Sequence, residues 1–158
     1  SVATLIKNLT ILESQNSKPI TIILNSPGGD VTSGLAAYDF IRNCRSKIRM
    51  IIYGESSSMA SVMLQACDER IMAENAVLLL HYGFLSTEGH PKTVEKIVAE
   101  NKRTDAWMEK MYLNKIRKKI PNYKLGRLKY LLDHDTYLSA EKAVEMGLCD
   151  KVLRSKKK

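Results

Sequence analysis

Apolar positions at Val2, Leu5, Ile6, Leu9 and Leu12 recur at helical spacing and predict an amphipathic helix over residues 2–14. Ile20 to Leu24 is a short apolar run rich in β-branched residues, the pattern of a buried strand. The breaker Asn25-Ser26-Pro27-Gly28-Gly29-Asp30 ends it, and Val31 to Asn43 returns to helical spacing. Ile48 to Tyr53 predicts a second buried strand, closed by Gly54, and Ser58 to Ala66 a helix. Arg70 to Met72 and Val77 to Leu80 read as strands on either side of the turn residues Glu74-Asn75, and residues 84–91 as a loop. Thr93 to Lys119 is a long, charged, amphipathic pattern; Pro121-Asn122 breaks it before a shorter helix from Lys124 to Leu132. Ser139 to Met146 predicts a helix with Ser139 as N-cap and Gly147 as its stop, and Cys149 to Leu153 a last strand.

Buried strands alternating with helices predict a parallel α/β sheet with right-handed crossovers. Ligands of such sheets sit beyond the carboxyl ends of the strands. Three loops fall there: the turn holding Gly29, the segment Gly54 to Ser58, and the exit of the fourth strand at His81. No repeat or low-complexity linker divides the 158 residues, and the length predicts one domain over 1–158.

Composition narrows the function classes. The chain is 44% hydrophobic but only 6% aromatic, so aliphatic side chains must fill the core. No apolar run approaches the roughly 20 residues a membrane span needs, and no secretory signal is visible at Ser1, so a cytoplasmic protein is expected. Cys44, Cys67 and Cys149 are far apart and form no CxxC pair, which speaks against a zinc site or a disulfide framework. The formal charge of +8 raises nucleic acid as a partner. The excess instead sits in a basic tail over 154–158 and at Lys115 to Lys119, where cations suit the end of the long helix. No aromatic residues interleave it as base stacking would require. No G-x-x-x-x-G-K-[ST] or G-x-G-x-x-G occurs, so the chain has no recognisable nucleotide loop and no cofactor is expected.

What chemistry the converging loops carry is visible in the residue types. Ser56, Ser57 and Ser58 stand at a strand-to-helix turn, where a hydroxyl can point at a substrate and the first helical N–H groups suit a developing negative charge. A serine at that place is ordinarily only a cap. Pro27-Gly28-Gly29 permits a close backbone approach, and the Gly29 N–H could meet an oxyanion unobstructed. His81 closes a buried strand, with one ring nitrogen free to face a cleft and the other to be held. His90 reads as solvated, and His134, between Asp133 and Asp135, as locally paired. Asp133 and Asp135 are both available as the acid, and spacing does not choose between them.

In order, Asn25-Ser26-Pro27-Gly28-Gly29-Asp30-Val31, Gly54-x-Ser-Ser-Ser58-Met59-Ala60, His81, and Asp135-Thr-Tyr-Leu-Ser139 running on to Gly147-Leu148-Cys149-Asp150 resemble the proteolytic subunit of the Clp protease. The resemblance spans about Leu5 to Leu153. It implies a crotonase-like α/β fold of repeated β-β-α units with a protruding handle helix, here the region 93–133. It implies a serine endopeptidase with Ser58 as nucleophile, His81 as base and Asp135 as acid, and an oxyanion hole from the backbone N–H groups of Gly29 and Met59. It further implies stacked heptameric rings acting on unfolded polypeptides, fed by an AAA+ unfoldase of the ClpX or ClpA/ClpC type that consumes the ATP. The same family occurs in organelles and phages.

Departures from the family pattern carry their own expectations. Ser56-Ser57 replace the usual Ala-Ala, a small change. Tyr82-Gly83 replace Gln-Pro after the histidine and touch on peptide binding. His134 stands at the place of an arginine that couples the rings. The chain opens inside what resembles the family's first long helix, so the segment of axial loops and first strands is expected to lie outside it. Ile97, Val98, Trp107, Met108, Met111 and Ile116 of the long helix are expected to exceed what one domain covers and to be buried between subunits. Two other readings compete: a catalytically inactive ring subunit, and an acyl-CoA enzyme of the same fold, which would use paired carboxylates and no serine nucleophile.

Overall fold

Twelve elements are built from these patterns in a computed structural model that describes residues 1–155. They are α1 (Val2–Gln15), β1 (Ile20–Ser26), α2 (Val31–Asn43), β2 (Ile48–Ser57), α3 (Met59–Leu64), β3 (Glu69–Ala73), β4 (Val77–Leu80), α4 (Pro91–Arg117), α5 (Leu125–Asp133), β5 (Thr136–Ser139), α6 (Ala140–Glu145) and β6 (Lys151–Leu153). The last three residues of the expected basic tail lie outside the described residues. This is the mixed α/β architecture with a curled sheet expected of the crotonase-like, Clp-peptidase type of fold. No described helix is long and apolar enough to cross a membrane.

β2 is the spine of the sheet. One of its edges pairs in parallel with β1 from Ile20↔Ile48 to Ser26↔Ser56. Its other edge is shared: Arg49 to Ile52 pair with β3, and Glu55 to Ser57 pair with β4. Between the two stretches the strand is irregular at Gly54, with φ of 76°. There the register with β1 slips between Leu24 and Ser26. The Asn25 carboxamide packs against Gly54: a Cβ there would stand 2.6 Å from Asn25 Oδ1, which accepts the Glu55 N–H at 3.1 Å. The predicted strand stopped at Gly54; the bulge instead carries β2 on through the serines.

The all-parallel expectation is corrected at one place. β5, given no element in the sequence reading, pairs antiparallel with β4, from Leu80↔Thr136 to Val77↔Ser139. Thr136-Tyr137-Leu138 are β-branched, aromatic and apolar, and only Leu138 of the strand is buried, which is the pattern of an edge strand too short to stand out by periodicity.

Met50, Ile52, Leu78 and Leu80 from the sheet meet α3, all six of whose residues are buried. A helix apolar but for Ser61 belongs inside. α4 then closes the core with Met108, Met111, Tyr112, Leu113 and Ile116. That corrects the expectation for the long helix: Met108, Met111 and Ile116 are spent on the chain's own core. Trp107 packs edge-on against Tyr38 at 5.0 Å, and Ile97, in the N-terminal half of α4, remains exposed.

Candidate active site

The end of β2 delivers Ser58 to the mouth of α3. Ser58 is the N-cap of that helix, but its hydroxyl makes no capping hydrogen bond, and its backbone sits at φ 53°, ψ −128°. A non-glycine residue at positive φ is strained, and such strain collects where a side chain is held out for use. Residue types alone favoured a simple cap; the absent capping bond and the backbone angle depart from that.

His81 follows β4 directly. Because β2 and β4 are parallel with Ser57 opposite Leu79, Ser58 and His81 leave the carboxyl ends of neighbouring strands together. The main chain after His81 is anchored twice. The Tyr82 N–H donates to Leu132 O at 3.0 Å, and its phenol donates to Glu109 Oε1 of α4 at 2.6 Å. Burial, with the nearby Glu109 carboxylate, raises the Tyr82 phenol above its ordinary pKa, so it stays a donor. The Tyr82 side chain is thus tied to α4.

β5 brings the acid. Extending the antiparallel register one step past Leu80↔Thr136 sets His81 opposite Asp135. Asp135 Oδ1 lies 3.4 Å from His81 Nδ1. Asp135 also adopts positive φ, 42°, which aspartate tolerates better than most residues. The His81 side chain is 12% exposed and that of Asp135 58%. Asp133, the rival acid, ends α5, and its charge acts on the Tyr82 phenol. His134 turns away: its Nδ1–H donates to Tyr130 O at 2.8 Å, and its ring stacks on Tyr130 at 4.0 Å. His90 caps α4 through Nδ1.

His81 Nε2 is buried and has no partner, and the Ser58 hydroxyl makes no hydrogen bond, among the described residues. The structure brings acid and histidine into contact and leaves the serine–histidine contact unmade. Catalytic hydrogen bonds are often loose until substrate arrives.

Gly28, read from sequence only as part of the flexible turn, makes the close contact. At φ 97°, a Cβ there would stand 2.6 Å from Ser57 O, 2.7 Å from Ser58 Cβ and 3.0 Å from Met59 N. The β1–α2 turn therefore presses its backbone onto the Ser58 turn at Gly28. Gly29 faces open space, with nothing within 4 Å of where its Cβ would be. The Gly-Gly pair was a signal for close approach; which glycine makes it depends on the packing of the two turns. Beside them runs a groove of about 380 Å³, its walls including Ile22, Leu24, Met59 and Met63.

Gly28→Ala tests the contact. The methyl collides with backbone, not with a flexible side chain, so the two turns must part. A displacement near 1 Å at such a site costs about 10²-fold in rate. The expected result is that loss in kcat/KM with the thermal midpoint still measurable and cooperative; a fully active variant would show that the turns do not cooperate.

Among known families, a model described as Clp protease matches residues 1–156.

Proposed function

The chain belongs to the Clp protease family, and from that premise we propose that it is an active serine endopeptidase with Ser58, His81 and Asp135 as its catalytic residues. A peptidase of the Clp proteolytic-subunit type is what membership itself supports. The observation that carries the finer reading is the 3.4 Å approach of His81 Nδ1 to Asp135, on the strand end beside a strained, uncapped Ser58.

In this reading Asp135 draws the imidazole proton to Nδ1, which leaves Nε2 as the basic nitrogen. Nε2 takes the Ser58 proton as the oxygen attacks the scissile carbonyl, since a serine hydroxyl is a poor nucleophile unaided. The charge that develops on the carbonyl oxygen is met by the N–H groups of Gly29 and Met59, neither of which donates a hydrogen bond among the described residues. Each such donor is worth about 10²–10³ in rate. The imidazolium then protonates the leaving amine, giving an acyl-enzyme on Ser58, and water activated by Nε2 releases the acid. The apolar groove beside Gly29 and Met59 suits a hydrophobic side chain next to the cut bond. Members of this family generally form rings and work with AAA+ unfoldases; this chain would take unfolded polypeptide from such a partner, which spends the ATP.

The unmade bond between Ser58 and His81 favours a second reading, an inactive ring subunit. A fluorophosphonate separates the two. Intact mass should show one adduct, and peptide mapping should place it on Ser58. No adduct on an assembled oligomer would favour the inactive subunit.

A further inference from the structure

One buried polar contact behind the site remains without a role in that chemistry. Tyr112, deep on the inner face of α4, is 1% exposed, and its hydroxyl meets Ser61 Oγ at 2.6 Å. Ser61 Oγ in turn donates to the carbonyl oxygen of Ser58 at 2.7 Å, and the Ser61 N–H donates to the same oxygen at 2.9 Å. The proton count sets the direction of this chain. A carbonyl only accepts, so the single Ser61 hydroxyl proton goes to Ser58 O. Ser61 can then only accept from tyrosine, and Tyr112 is the donor. Burial raises the phenol's pKa, so it keeps that proton.

A helical serine often bonds a carbonyl one turn back, and Ser61 alone would be unremarkable. What is unusual is a second hydroxyl, from a helix 51 residues away in sequence, placed in the dry core to reinforce it. Phenylalanine would fill the same apolar space without a polar atom to satisfy. Donation by Tyr112 also polarises Ser61 and strengthens its own bond to Ser58 O.

The carbonyl being held belongs to the peptide unit between Ser58 and Met59. That unit is planar and trans, so its C=O and N–H point in opposite directions. Pinning Ser58 O inward, toward Ser61, aims the Met59 N–H outward. We propose that Tyr112 is a positioning residue of this site, acting through Ser61 to hold the Ser58–Met59 peptide so that the Met59 N–H faces the oxyanion. The inference rests on the peptidase reading above.

It predicts a transition-state effect with little effect on substrate binding. Tyr112→Phe lowers kcat roughly tenfold, leaves KM within about twofold, and weakens a peptide boronate, which mimics the tetrahedral species, in parallel with kcat. Ser61→Ala costs at least as much. Because the tyrosine acts through the serine, the double variant is no slower than Ser61→Ala alone. Thermal midpoints recorded on all three show whether each is folded. Should Tyr112→Phe misfold, the comparison passes to Ser61→Ala and Ser61→Thr, of which the threonine keeps the hydroxyl and should retain the rate. Full kcat in folded Tyr112→Phe, additive losses in the double variant, or losses in KM alone would overturn the inference while leaving the peptidase reading intact. A wild-type protein inert to fluorophosphonate and to peptides would overturn both.

Discussion

Ser58→Ala is expected to remove hydrolysis while leaving the fold and any assembly intact. The expected loss is on the order of 10⁶-fold in kcat, the scale on which removal of a nucleophilic serine silences a triad, because the remaining groups then have nothing to activate. The substitution is structurally cheap here for a specific reason. The Ser58 side chain makes no capping bond to α3, so alanine forfeits none, and the Ser58 carbonyl keeps its bonds to Ser61. Peptide turnover, together with sedimentation and a thermal melt, checks it. Turnover near wild type would dismiss Ser58 as the nucleophile, and Ser56 would not inherit the role, since its hydroxyl is buried within β2.

Asp135→Asn comes next in size. In the proposed mechanism the carboxylate holds the Nδ1 proton toward itself and stabilises the imidazolium; an amide would do neither reliably and could present its own N–H to Nδ1, selecting the wrong tautomer. Removal of a fully buried triad aspartate costs about 10⁴-fold. Asp135 is more than half exposed, and solvent screens part of its charge, so a loss of roughly 10³-fold is expected. Asp133→Asn should leave kcat within about twofold, because Asp133 ends α5 outside the β4–β5 ladder. The comparison is read from kcat/KM on one peptide at fixed pH. The reverse ranking would transfer the acid's role to Asp133.

Most of the fold was legible because it is written in short-range periodicity. The helix over Val31 to Asn43 and the strands near Ile48 and Val77 depend on spacing within a few residues, and they stand where that spacing put them. The boundaries that moved are those set by partners. β2 outran Gly54 because Asn25, from another strand, fills the bulge. β5 escaped notice because four residues hold too few alternations to distinguish a strand from a loop, and its pairing with β4 is what orders it. The apolar residues late in α4 looked surplus to one domain because a helical pattern shows that a face is apolar, not what covers it.

The site divides along the same line. Residue types marked Gly29, the serines at 56–58, His81 and two aspartates as candidates, since glycine at a turn, serine before a helix and histidine after a strand carry their chemistry locally; only the family resemblance singled out Ser58 and Met59. The local spacing left Asp133 and Asp135 equal. The one-step extension of an antiparallel register sets Asp135, and not Asp133, against His81. Likewise, two adjacent glycines could not say which one touches the Ser58 turn, and no local pattern linked Tyr112 to Ser61. Side-chain type and near-neighbour spacing are properties of the chain. The partner that each strand edge and buried hydroxyl finds depends on long-range packing, where one step of register exchanges one carboxylate for none.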